Sequence, residues 1–284
     1  MFDLNDKIFI FDISNTYFET TKKNSEIAAF GRSKDGKKNA PIAMFTGVIN
    51  QQGFIKHSRT YPGNTAENAT LDDVLDDLEK HSPSDAQKTV VIDAGLAGED
   101  ELDKIKDRGY KYVCVSRKRL KNYELDATKA TISKLTDRGK KQVELSIFEA
   151  EGYDDTWMLV KSEAKKQKEQ SIYTSIKQKY EQGLIDIQTA IKRKGGVKRI
   201  DKVWERIGRL KEKFKKVSAH YQVTVPEEKG KATDLNYTEK PPAKPTEDKR
   251  AGKYFIRTNF KKIEEAQLWD IYNTIRKVEA TKHP

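Results

Sequence analysis

The chain has 284 residues, with 55 Lys and Arg against 44 Asp and Glu, a formal net charge of +11 and a pI near 9.3. That length allows one large domain with an insertion, while a mean hydropathy of −0.84 and the absence of any long apolar window exclude a membrane span. One cysteine, Cys114, excludes a disulfide framework and a thiolate zinc cluster, and the N-terminal MFDLNDKIFIFD has no basic stretch leading into an apolar run, so a cytoplasmic protein is expected.

Residues 7–14, KIFIFDIS, read as a strand ending in Asp12. Strands around 40–50 and 53–61 follow, joined by a short hairpin connection at Asn50-Gln51-Gln52-Gly53. Tyr61-Pro62-Gly63-Asn64 is a turn signal, and Thr65 is placed to N-cap a helix over 66–80. In that helix Leu71, Val74, Leu75 and Leu78 make one apolar face, and Asp72, Asp73, Asp76 and Asp77 are expected at the surface, not around a metal. The stretch 88–94, KTVVIDA, repeats the first pattern of an apolar strand followed by an acid. A helix over 99–108 and a short strand over 110–117 come next, then strands over 142–149 and 156–161 that extend the sheet or begin an insertion. This alternation, with continuous apolar strands, argues for an α/β layer whose strands are buried on both faces.

From Ser162 the period turns helical: Ile172, Ile176, Tyr180, Leu184, Ile187 and Ile191 recur at spacings of three and four. Gly195-Gly196 separates a second helix carrying Ile200, Val203, Trp204, Ile207, Leu210 and Phe214, so 162–225 reads as a helical hairpin, with Trp204 packed inside it. Between Lys161 and Lys216 stand 18 basic and 7 acidic residues, a local net of +11 that equals the net charge of the whole chain. Such a surface favours a polyanion, and nucleic acid is the commonest one; the plainer alternative is a solvated helix laced with i,i+4 pairs. Residues 226–250, with four of the eight prolines, read as a flexible linker, and 251–284 supply a last strand over 253–258 and a helix over 263–281.

The candidate chemistry rests on acids. Asp12 and Asp93 each close an apolar strand, and if those strands are adjacent both acids sit at one rim of the sheet, where open α/β sheets bind ligands. Taken singly, a strand-end Asp is more often a turn or cap residue. On the last helix Leu268, Ile271, Ile275 and Val278 share an apolar face, and Tyr272, Arg276 and Glu279 form a second stripe beside it. Arg117, Lys118 and Arg119 follow a strand and suit either a DNA backbone or a solvated cluster. His57, His81, His220 and His283 lack metal-ligand spacing and read as surface residues, and no phosphate-binding Gly-rich loop occurs.

At these positions the chain resembles the DDE transposases of bacterial insertion sequences. The passages that carry the likeness are FDISNTYFE, GRSKDGKKNAPI with GVINQQGF, YPGNTAEN, VVIDAGLAGEDEL, GYKYVCVSR, GKYFIRTN and YNTIRKVEA, in that order. The resemblance implies an α/β fold: a ribonuclease-H-like mixed sheet flanked by helices, with a largely helical basic insertion. Residues 1–161 and 251–284 would form the catalytic core. It further implies Asp12, Asp93 and Glu279 as catalytic and metal-holding acids for Mg²⁺, with Mn²⁺ able to substitute. Double-stranded DNA is the implied partner, as element ends and target, handled by a homodimer in a synaptic complex. Tyr272 matches a Tyr–Arg–Glu signature, while Ile275 stands at the expected Arg position and Arg276 follows it. The family pattern also has an N-terminal domain before the first strand and a Lys about two turns after Glu279, so the chain reads as short at both ends. Two alternatives stay open: a DNA-binding remnant without catalysis, and a nuclease of this fold that does not join strands.

Overall fold

The computed structural model describes residues 7–19, 25–33, 36, 39–51, 53–81, 87–118, 120, 133–136, 142–240 and 251–282, with the side chains of the last helix as far as Ile275. The chain divides into two compact units, residues 1–161 with 254–284, and residues 162–253.

The first unit is built on a long antiparallel meander, β1 (Ile8–Tyr17), β2 (Ile42–Asn50) and β3 (Ile55–Pro62). Asn50 makes the hairpin after β2: its side chain accepts from Phe54 N at 2.8 Å, and its carbonyl accepts from Gly53 N at 3.0 Å. Where the sequence suggested a helix from Ala66 capped by Thr65, a 3-10 turn (Glu67–Thr70) precedes α1 (Leu71–His81), and Ala66 caps it without a side-chain bond. Thr65 is engaged instead in the preceding turn, where its N–H donates to Pro62 O at 3.0 Å. That turn requires glycine at Gly63, because a Cβ there would meet Ile42 O at 2.1 Å and Ala29 O at 2.6 Å.

After α1 come β4 (Thr89–Ile92), α2 (Glu99–Asp107) and β5 (Lys111–Val115). β4 runs parallel to β1 on one side and to β5 on the other. Val90, Val91 and Ile92 have no exposed surface, as expected for a central strand covered on both faces. The sheet continues through β6 (Ser133–Thr136), β7 (Gln142–Glu149), β8 (Thr156–Ser162) and the late strand β13 (Lys253–Thr258), giving the order β3-β2-β1-β4-β5-β13-β8-β7-β6. The strands over 142–149 and 156–161 therefore extend the sheet. On one face Phe9, Phe11, Val90 and Ile92 pack with Leu71, Val74, Leu75 and Leu78 of α1 and Leu102 and Ile105 of α2. On the other, Ile10, Val91 and Val113 pack with Leu268 and Trp269 of the last helix, α6 (Glu265–Lys282). A β-meander followed by parallel strands with intervening helices, closed on the far face by a final helix, is the ribonuclease-H-like α/β fold.

The four aspartates of α1 are not simply solvated. Asp72 pairs with Lys104 at 2.6 Å, Asp76 with Arg108 at 2.5 Å and Asp73 with Arg59 at 3.2 Å. Asp77 is buried, 5% exposed, against His57 Nε2 at 2.7 Å and Arg59 Nε at 3.0 Å. The expectation of a surface position thus fails for Asp77, while His57 is half-buried: one turn of α1 leans over β3, and that contact encloses the Asp77 carboxylate.

The second unit opens with α3 (Glu163–Lys192), N-capped by Ser162, whose Oγ accepts from Lys165 N at 3.3 Å. α4 (Ile200–Lys213) and α5 (Lys215–Ser218) follow a break at Gly196, where a Cβ would meet Ala190 O at 1.8 Å. Tyr180, Leu184, Ile187 and Ile191 pack against Val203, Ile207 and Val217. Trp204 is 41% exposed, with Lys211 Nζ 6.0 Å from its ring centroid, so it is not the interior residue the sequence suggested; Val203 and Ile207 take the inward face. The segment read as a helical hairpin ends in a short strand, β9 (Tyr221–Thr224), and the stretch expected to be a linker carries β10 (Glu227–Glu228), β11 (Lys231–Ala232) and β12 (Asn236–Glu239) up to residue 240. They are held by burial of Ala232 and Leu235 in the helical core, and 241–250 lie outside the described residues.

Candidate active site

Asp12 does not end its strand. β1 runs on to Tyr17 because β2 pairs with it along its whole length, Asp12 facing Gly47. Its pairing with β4, however, stops at Phe11↔Ile92. Asp12 and Asp93 are therefore the next residues in register on two adjacent parallel strands, just past the carboxyl end of their pairing, the side of the sheet on which a ligand site is expected. Side chains alternate along a strand, so Asp12 lies on the face of Ile10, which α6 covers.

Asp93 follows the last residue of β4 with φ −70° and ψ 156°, and its Oδ1 accepts from Ala94 N at 2.7 Å to cap the short turn Ala94–Leu96. It is at once the cap residue and a solvent-facing carboxylate, since Oδ2 retains its acceptor capacity. Asp12 is half-buried.

The route of α6 follows from β13. That strand is antiparallel to β5, and Asn259 just beyond it donates to Tyr110 O at 3.0 Å and accepts from Tyr112 N at 2.9 Å, at the start of β5. α6 sets out from that end and packs on β1, β4 and β5. Its Ile275 packs against the same cluster as Ile10 and Val91. Glu279 stands one turn, ~6 Å, beyond Ile275, as Asp12 and Asp93 each stand two residues, ~7 Å, beyond Ile10 and Val91. The side chains of Glu279 and Arg276 lie outside the described residues. Among the described residues no three His, Cys, Asp or Glu side chains form a metal-holding group.

The other predicted site residues fall in different settings. Tyr272 is half-buried, its ring 6.2 Å from that of Tyr254 and 5.7 Å from that of Trp269, so the second stripe of α6 contributes to packing as well. Arg117 Nη2 donates to Gly95 O at 2.6 Å, beside Asp93. Lys118 is tied up, 2.7 Å from Glu99 Oε1 and 3.2 Å from Tyr153 Oη. Arg119 lies outside the described residues.

Lys118 leads to a network that sequence reading missed. Arg257 on β13, 4% exposed, makes a bidentate pair with Glu99 at 2.7 and 2.9 Å and donates from Nε to Asp155 Oδ2 at 2.7 Å. The guanidinium lies 5.2 Å from the ring centroids of both Tyr153 and Trp157. Hydrogen bonding from Arg257 outweighs partial burial and, with help from Lys118, lowers the Glu99 pKa from 4.5 to about 2. A depressed carboxylate contributes stability above its unfolded pKa and loses it as pH falls through its folded value. Thermal stability is therefore expected to drop between pH 4.5 and about 2, and Glu99→Gln to flatten that part of the profile. Scanning calorimetry on both proteins measures this directly.

The fold is thus a ribonuclease-H-like sheet with Asp12 and Asp93 side by side just past the last β1–β4 partners. The family model for the transposase DDE domain matches residues 5–281, and the chain belongs to that family. No curated protein matches it. Among solved structures, the chain is similar to a piggyBac transposase in a synaptic complex with hairpin DNA, at 6% identity and a TM-score of 0.36, covering 97% of this chain. It spans 40% of that chain's length. Among the described residues, no helix is long and apolar enough to cross a membrane.

Proposed function

We propose that this chain cuts and joins DNA by metal-dependent phosphoryl transfer at the ends of an insertion sequence, acting in the cytoplasm as a homodimer that pairs two ends. The observation that supports the reading is the register of β1 and β4, in which Asp12 and Asp93 are the next residues after the last paired positions, Phe11 and Ile92. Carboxylate oxygens are hard donors and suit Mg²⁺, with Mn²⁺ as substitute. Asp12, Asp93 and Glu279 would hold the metal ions. When bound, the metals stabilise the attacking and leaving oxygens of an in-line displacement at phosphorus.

The chain's own groups then have distinct tasks. Asp93 anchors its turn through Oδ1, which fixes the direction of Oδ2. Arg117, Arg119 and Arg276 would meet DNA phosphates, Tyr272 would hold α6 in place from within its packing, and Lys118 would add charge nearby. Residues 162–225, with 17 basic and 7 acidic side chains, would supply the sequence-independent grip on the duplex. Water as nucleophile nicks a strand; a freed 3′-hydroxyl as nucleophile joins it to a target.

The test is an assay on supercoiled plasmid and on short duplexes bearing the element's ends. Mg²⁺-dependent nicking followed by strand transfer is the expected result. Nicking without transfer means a nuclease, and binding without nicking means a remnant that holds DNA only.

A further inference from the structure

Glu67 opens the 3-10 turn Glu67–Thr70 in the YPGNTAEN passage, which has no role in the account above. Thr70 Oγ1 closes the turn by donating back to Glu67 O at 2.7 Å, and the chain just before it is tied by Gly63 N donating to Ile27 O at 3.1 Å. It packs against the turn Ala94–Leu96 that follows Asp93. A methyl group built on Gly95 would lie 3.5 Å from Asp93 Oδ2, 3.6 Å from Arg117 Nη2 and 3.6 Å from Glu67 Oε2. One cation and two carboxylates, from three separate stretches of chain, thus converge over the peptide that follows Asp93.

The electrostatics of this convergence are specific. Arg117 Nη2 is already tethered to Gly95 O at 2.6 Å. With Asp93 as the only acid nearby, the guanidinium would be drawn onto Oδ2, the oxygen left after Oδ1 caps Ala94. A second carboxylate within the same few ångströms competes for the guanidinium and so helps to keep Arg117 over the turn. We propose that Glu67 is a positioning residue for the phosphoryl transfer: by sharing Arg117 with Asp93 it leaves Asp93 Oδ2 open and orients the guanidinium toward the rim. This rests on the reading of Asp12 and Asp93 as the reacting pair.

The test uses the full chain and Glu67→Gln, which keeps size and removes charge. In the metal-free protein, the guanidinium NMR signals of Arg117, assigned with Arg117→Lys, are expected to shift in Glu67→Gln and stay in place in Glu151→Gln. With DNA and Mg²⁺, Glu67→Gln is expected to slow cleavage at saturating DNA about tenfold, to leave the DNA Kd within about twofold, and to add no further loss to Arg117→Ala, as two residues acting through one group do. Glu67→Asp is expected to restore part of the rate. Unmoved Arg117 signals, or a loss that multiplies with that of Arg117→Ala, overturns the proposal. Where the parent chain itself does not cleave, the functional reading fails, and the NMR arm still decides whether Glu67 positions Arg117.

Discussion

Asp12→Ala is expected to lower Mg²⁺- or Mn²⁺-dependent DNA cleavage by at least about a hundredfold while leaving DNA binding nearly unchanged. Loss of a metal-holding carboxylate removes several kcal/mol of transition-state charge stabilisation, and each 1.36 kcal/mol is tenfold in rate. Asp12 is half-buried, faces Gly47 across the β1–β2 pair, and lies just past the last β1–β4 partner. The separation of cleavage from binding is the informative part, because the +11 excess of the 161–216 segment is remote in sequence from Asp12. Single-turnover cleavage and a binding isotherm on the same preparation measure the two quantities. Cleavage within a few-fold of the parent rate contradicts the assignment of Asp12.

Arg257→Met is expected to destabilise the first unit by about 3–5 kcal/mol, because it leaves the Asp155 carboxylate buried without its main partner. Asp155 is 5% exposed, and Lys106 Nζ, at 3.7 Å, is too long a contact to take over. The loss also removes the guanidinium from between Tyr153 and Trp157 and releases Glu99. Asp155→Asn on the same background is expected to recover part of the loss, since the amide carries no charge to desolvate. Urea unfolding of the three proteins measures both effects. A shift of the Arg257→Met midpoint worth less than about 1 kcal/mol would mean that the network contributes no more than a surface pair.

The elements that could be read from sequence are those whose signal is local. Val90, Val91 and Ile92 form a continuous apolar run because both faces of β4 are covered, and Leu71, Val74, Leu75 and Leu78 repeat at helical spacing because one face of α1 is. Asp12 and Asp93 stood out as acids after such runs, and their adjacency then depended only on β1 and β4 pairing. What local pattern could not give was the partner of each polar group. The Arg257 pairs with Asp155 and Glu99 span 102 and 158 residues, and Asp77 on α1 is buried where Arg59 and His57 approach it from β3. The strands over 227–239 escaped for another reason: they are two to four residues long and largely charged, and packing of Ala232 and Leu235 outweighs their composition. Trp204 showed the opposite error, since an aromatic at helical spacing was assigned inward while Val203 beside it took the buried position.

The central claim is that Asp12 and Glu279 hold the same metal site from opposite ends of the chain. Isothermal titration of Mn²⁺ into the full chain, with Asp12→Ala and Glu279→Ala beside it, tests this most directly. Binding that is lost in both variants is the predicted result. Binding lost in Asp12→Ala but unchanged in Glu279→Ala would show that the last helix does not deliver its acid, and would contradict the account of how this family's chemistry is assembled here.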